Sequence, residues 1–206
     1  MNNTEIAVRE IEPADHAWVR SFLGQYFGST KVVSRGVMHQ AENLPGFIAI
    51  FRGEPSALLT YCVMKGDLEV VSLHAAIAGR GLGSRLLAAA RDRARDLQCR
   101  RLWLITTNDN EPAIAFYSRW GMHLAAVHRG AIAESRRLKP EISYFSVGGR
   151  PIEDEIEFEL LQCSEGFISD DSAGTSDGSI RRRGPPISRG SRQHRVRLPF
   201  FSVRPR

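Results

Sequence analysis

The 206-residue sequence predicts an α+β fold, a mixed and mostly antiparallel sheet with helices packed on it. Three observations predict it. Three short apolar strands follow one another across turns of a few residues. A glycine-rich loop then joins the third strand to an amphipathic helix, and a strand–helix–strand unit comes after. Connections that short force antiparallel hairpins, whereas a return through a helix allows a parallel neighbour.

Taken in order, IAVREI (6–11) reads as a strand, and 16–27 reads as a helix through Ala17, Phe22, Leu23 and Phe27. The three strands are Gly46–Phe51, Ser56–Met64 and Leu68–His74, with turns at Arg52-Gly53-Glu54-Pro55 and Lys65-Gly66-Asp67. The helix after the glycine loop starts near Gly83 and places Leu86, Leu87, Ala90, Ala94 and Leu97 on one face. RRLWLITTN (100–108) is a strand rich in β-branched and aromatic residues. Pro112 opens a helix through Ala115, Phe116 and Trp120, which Gly121 ends. Met122–Val127 returns as a strand, and the alternating Pro151–Leu161 (PIEDEIEFELL) is the pattern of a half-buried one.

Composition bounds the function. No apolar run of about 18 residues exists, so a membrane-spanning helix is not expected. The opening MNNTEIAVRE lacks the layout of a secretory signal. Cys62, Cys99 and Cys163 are far apart and odd in number, which argues against a disulfide framework or a zinc site and suits a reducing cytoplasm. His16, His39, His123, His128 and His194 form no metal-ligand spacing, so no metal is expected. The formal charge of +5 resides in the C-terminal segment: residues 165–206 hold nine arginines against four acids, and residues 1–164 balance at zero. The sequence therefore divides into a globular domain, 1–163, and an arginine-, serine- and glycine-rich tail, 164–206, of the composition of disordered chains. The tail reads as an arm for nucleic acid or anionic lipid, as a solvated extension, or as translation past an ancestral end.

The most informative segment is VVSLHAAIAGRGLGSRLL, a strand running into Gly79, Gly81 and Gly83 and at once into a helix. Glycines admit an anion close to backbone N–H groups, and the helix start adds the positive end of its dipole. Arg80 adds a full charge. The expected ligand is a phosphate or pyrophosphate. The loop is neither a P-loop nor the GxGxxG dinucleotide fingerprint.

This loop resembles the acetyl-CoA signature [QR]-x-x-G-x-[GA] of the GNAT superfamily of N-acetyltransferases, matched on Ala78-Gly79-Arg80-Gly81-Leu82-Gly83 and followed by Ser84; Ala78 departs from the usual Gln or Arg. A second superfamily pattern, N-x-x-A-x-x-F-Y-x-x-x-G-F, is matched from Asn110 through Phe116, Tyr117 and Gly121 to Met122, which replaces the final Phe. The resemblance spans about residues 5–161. It implies a three-layer α/β arrangement, with a splayed parallel strand pair in the sheet and helices on both faces. It also implies acetyl-CoA as co-substrate, an amine acceptor, direct attack in a ternary complex, and a homodimer as one assembly.

By the same resemblance, Leu73, His74 and Ala75 would pair with the pantetheine arm as an added strand does. The N–H groups from Arg80 through Gly81, Leu82, Gly83 and Ser84 would hold the pyrophosphate. Asn110 would bind pantetheine or cap its helix. A backbone N–H near Leu73 or His74 would stabilise the oxyanion, and Tyr117 would be the general acid, against a reading as one more buried aromatic. Period-two alternation places Asp67, Glu69, Val71 and Leu73 on one face. Glu69, or else Asp67, is then the candidate base, against a turn residue and a solvated side chain. His74 either contacts substrate or packs. Glu153, Asp154, Glu155, Glu157 and Glu159 either line a pocket for a cationic amine or form a solvent-facing strand edge. Two other functions remain open: a catalytically silent acetyl-CoA-binding module, and a nucleic-acid-binding protein acting through the basic tail.

Overall fold

A computed structural model describes residues 6–162. Cys163, the tail 164–206 and His194 lie outside the described residues, as does the domain boundary drawn at 163. The chain runs β1 (Ile6–Glu10), α1 (His16–Phe27), β2 (Lys31–Ser34), β3 (Val37–Gln40), β4 (Gly46–Phe51), β5 (Glu54–Met64), β6 (Asp67–Ala75), α2 (Leu82–Asp96), β7 (Arg101–Thr107), α3 (Glu111–Trp120), β8 (His123–His128), α4 (Ala131–Leu138) and β9 (Glu155–Leu161). Seven strands form one sheet in the order β1-β4-β5-β6-β7-β9-β8, and β2 and β3 form a separate hairpin. Every pairing in the large sheet is antiparallel except β6 with β7.

The hairpins share one turn chemistry. Arg35-Gly36, Arg52-Gly53 and Lys65-Gly66 each place both residues at positive φ, between 50° and 87°. That is the two-residue turn whose twist matches the twist of paired strands.

Helices cover both faces. On one, Leu82, Leu86, Leu87, Ala90 and Ala94 of α2 and Tyr117 of α3 pack against Leu59, Leu68, Val70, Leu102, Leu104 and Phe158. On the other, Val19, Phe22 and Leu23 of α1 cover Ile48, Leu58 and Val71. Leu97 does not join the α2 stripe: it is the residue after the helix and 48% exposed. Among the described residues no helix is long and apolar enough to cross a membrane.

Two features were not expected from the sequence. The β2–β3 hairpin lies over β6, and α4 packs on β2. Lys139, just after α4, donates to the carbonyls of Phe27 and Lys31, tying it to the end of α1 and the start of β2.

Candidate active site

The parallel pairing of β6 with β7 lasts only three residues, Leu68↔Leu102, Glu69↔Trp103 and Val70↔Leu104. Beyond Val70 the two strands take different partners. β6 continues to Ala75 along β5 alone, and β7 continues to Thr107 along β9 alone. A gap therefore opens in the middle of the sheet, with backbone from Val71 to Ala75 on one side. The expected splay is present.

A bulge starts the gap. Thr60 opposes Ser72 while Tyr61 opposes Val70, so Val71 is the extra residue on β6. An inserted residue shifts the alternation, and it corrects the single face assigned to Asp67, Glu69, Val71 and Leu73. Val71 packs towards α1, but Leu73 turns to the α2 side. Ser72 stays on the α1 face, its hydroxyl 2.7 Å from that of Thr60.

At the far end of β6 the chain enters the glycine loop. Gly79 and Gly81 have φ of 72° and 77°, which L side chains rarely adopt. Gly81 is the N-cap of α2, with no side-chain cap, and its carbonyl accepts the first helical bond from Arg85 N. The N–H groups of the first turn, Leu82, Gly83 and Ser84, thus have no acceptor inside the helix. A Cβ on Gly83 would lie 3.4 Å from Cζ of Phe116, so the start of α2 meets the middle of α3 there. The Arg80 guanidinium stands 5.9 Å from the Phe51 ring centre, at the end of β4.

Across the gap, Asn110 caps α3: its Oδ1 accepts from Ala113 N at 3.3 Å. An open cleft of about 480 Å³ adjoins it, lined by Thr107, Asn110, Pro112, Val147 and Arg150. Tyr117 is 7% exposed, between Phe116 and Phe158 with ring centres at 5.3 and 5.7 Å. Burial pushes its phenol up from the ordinary value, so it is protonated at neutral pH. His74 stacks on Tyr26 at 4.1 Å and meets Phe22 and Phe27. Burial lowers its pKa, and its ring packs the sheet to α1.

The two candidate bases separate. Asp67 sits at the opposite end of β6 from the glycine loop, forked between Arg100 and Arg101 at 2.9 and 3.0 Å. It is a structural ion pair. Glu69 is 4% exposed, so the reading as a solvated side chain is corrected. Burial raises its pKa. Cys62 Sγ lies 3.6 Å from Glu69 Oε2, and His39 Nε2 lies 3.8 Å from the same oxygen. Burial, with Glu69 beside it, pushes the Cys62 thiol up to about 12.

The acids of the last strand are not a solvent edge, because β9 runs between β7 and β8. Glu155 is 1% exposed and accepts from Ser135 Oγ at 2.8 Å and from Arg35 N at 3.2 Å. Glu157 is bound by Arg101 and His128 at 2.9 and 2.8 Å and by Arg35. Glu159 pairs with Arg101, whereas Glu153 and Asp154 lie before the strand, where Asp154 accepts from Gly130 N. Glu69, Glu155 and Glu157 thus form a buried acidic face under the hairpin turn that carries Arg35. Arg35, His39, Cys62 and Ser135 were not singled out from the sequence. One signal was available for Cys62: a two-residue turn at Lys65-Gly66 sets Cys62 opposite Glu69.

Comparisons with known proteins agree with this architecture. The sequence model of the acetyltransferase (GNAT) family matches residues 9–122. The uncharacterized protein YdhI of Bacillus subtilis (strain 168) is 36% identical over 154 residues, 74% of this chain and 96% of that protein. A streptothricin acetyltransferase of Streptomyces lavendulae is 34% identical over 96 residues, 45% of this chain and 47% of its own. A GNAT family acetyltransferase from Elizabethkingia anophelis, solved with acetyl-CoA bound, superposes with a TM-score of 0.56 at 13% identity, covering 78% of this chain and all of that one.

Proposed function

We propose, from the premise that this chain belongs to the GNAT acetyltransferase family, that it moves the acetyl group of acetyl-CoA to a primary amine by direct attack in a ternary complex. The observation that carries this reading is the parting of β6 and β7 after Val70, where unpaired backbone leads straight into the uncapped helix start at Gly81. Pantetheine would pair with Leu73, His74 and Ala75 as a missing strand. The pyrophosphate would rest on the N–H groups from Arg80 through Ser84, with Arg80 as counter-charge. The Asn110 Oδ1 is taken by its cap, which leaves the amide Nδ2 to face the ligand.

In the reaction, the amine lone pair attacks the thioester carbonyl while an N–H of Leu73 or His74 takes the developing oxyanion. The C–S bond then breaks. Tyr117 donates its proton to the departing sulfur. A free thiol has a pKa of about 8.5 and a free phenol about 10, so complete transfer in water would run uphill. In the closed gap the thiolate is desolvated as well, which narrows that difference. Glu69 accepts the proton from the amine, directly or through water; its raised pKa makes it a stronger base than an exposed carboxylate. The buried acids Glu69 and Glu155, which have no Arg or Lys side chain bonded to them among the described residues, favour an acceptor that carries positive charge besides the reacting amine.

The test is calorimetry of the full chain with acetyl-CoA and CoA, followed by free-thiol release across a panel of cationic, neutral and acidic amines. Binding of both coenzymes, with release fastest for cationic amines, is expected. Absence of coenzyme binding overturns the assignment. Tight binding without transfer to any amine would point instead to a silent acetyl-CoA-binding module.

A further inference from the structure

Three strands bring together a group that no stretch of sequence contains. His39 comes from β3, Cys62 from β5 and Glu69 from β6. Each offers one ligand atom, and these atoms lie within 4.8 Å of one another. The His39 and Glu69 side chains are 8% and 5% exposed. His39 Nε2 and Glu69 Oε1 are buried without a hydrogen-bond partner among the described residues. Buried polar atoms left unpaired in this way are costly to a fold, and here they belong to two of the three side chains of one group.

We propose that His39, Cys62 and Glu69 form a binding site for a borderline transition-metal cation of the Zn²⁺ class. The donor set selects that class: an imidazole and a thiol with a single carboxylate suit zinc, whereas Mg²⁺ and Ca²⁺ take oxygen ligands. The spacing fits as well. Zinc bonds of about 2.0–2.3 Å in a tetrahedron set ligand atoms about 3.3–3.6 Å apart. The Cys62–Glu69 and His39–Glu69 separations, 3.6 and 3.8 Å, need a few tenths of an ångström of adjustment, and the His39–Cys62 pair, within 4.8 Å, closes by up to about an ångström through side-chain rotation. Three protein ligands leave the fourth position for water or for a group of the acceptor. Binding expels the Cys62 proton, since a coordinating thiol is deprotonated outright.

The site has a consequence that rests on the proposed role of Glu69. A carboxylate bonded to zinc cannot accept the amine proton, so the cation would arrest acetyl transfer and a chelator would restore it.

Co²⁺ serves as the spectroscopic probe on the full chain. The expected result is one equivalent of Co²⁺ per chain, with a thiolate-to-cobalt charge-transfer band in the near ultraviolet and intense visible bands of four-coordination. Zn²⁺ should displace it. Cys62→Ser should abolish the charge-transfer band, His39→Gln should weaken binding at least tenfold, and Cys99→Ser and Cys163→Ser should keep the spectrum. Failure of the wild-type chain to develop a thiolate–cobalt band overturns the site, whatever the folding of any variant. A band that survives Cys62→Ser and vanishes with Cys99→Ser or Cys163→Ser overturns it too. If the spectrum appears while no amine is ever acetylated, the metal site stands and the acetyltransferase reading falls. If acetylation proceeds and no spectrum appears, the reverse holds.

Discussion

Burial raises the pKa of both Tyr117 and Glu69, and the role proposed for each carries its own prediction. Removing the Tyr117 hydroxyl leaves the ring between Phe116 and Phe158 intact. Tyr117→Phe should therefore lower kcat by about 10²–10⁴-fold, with acetyl-CoA affinity by calorimetry within a factor of about 3, as expected when the lost interaction is made only as the bond breaks. For Glu69 the sign of the pH dependence follows from its raised pKa. The protonated carboxyl cannot accept a proton, so the rate should fall on the acid side through a pKa above the ordinary value of about 4.3. Glu69→Gln should lose that acidic limb along with about 10²–10⁴-fold in kcat. Its effect on folding runs the other way. A carboxyl raised by burial costs stability as pH climbs through its folded pKa, so above that pH the Gln variant should melt no lower than the wild type. A drop in melting temperature there would mean that the contacts of Glu69 with Cys62 and His39 outweigh the cost of burying its charge.

Among the elements, the strands of the large sheet and the three helices α1–α3 were legible because each buries one face with the period of its own geometry. Leu86, Leu87, Ala90 and Ala94 repeat helically, and the X-Gly turns leave hairpins as the only connection. What escaped was set by tertiary contact. KVVSRGVMHQ turns on Arg35-Gly36, which lacks the Asn-Gly or Asp-Gly signal; α4 spans only eight residues, below the length at which a helix stands without packing. The bulge at Val71 leaves no mark in the sequence, which is why Leu73 was placed on the wrong face. The acids of β9 stay open between a pocket lining and a solvent-facing edge in the sequence, because alternation distinguishes two faces but not which of them another element covers. The glycine loop and Tyr117 were legible, while His39 was not, since its neighbours come from other strands. Two glycines test the element geometry. A Cβ at Gly46 would sit 2.2 Å from the Leu59 carbonyl oxygen, backbone that cannot move aside. Gly46→Ala should cost at least about 1–3 kcal/mol in denaturant titration. Gly81→Ala meets nothing within 4 Å. It should cost only the left-handed strain of about 1–2 kcal/mol and, by straining the helix start, weaken acetyl-CoA.

Across the described residues the large sheet falls into two halves, β1-β4-β5-β6 and β7-β9-β8, joined along three residue pairs. Its acid stability has an identifiable contributor in the first half. Arg9 binds both oxygens of Asp15 at 2.6 and 2.7 Å, which holds that carboxyl at about 2. Such a group stabilises above its unfolded pKa and loses the contribution as pH falls towards 2. Asp15→Asn should then melt lower than wild type at pH 6, by no more than about 1 kcal/mol given the exposure of Arg9, and the two should converge near pH 2. The join between the halves has a further cost. Unsatisfied main chain from Val71 to Ala75 is a template that a foreign strand can dock on, and most sheets keep such borders short, charged or covered. A coenzyme lying there would act as a shield as well as a reactant. Protein stripped of it should aggregate on storage, and a desulfo-CoA with no sulfur to react should protect it as well as the natural coenzyme does.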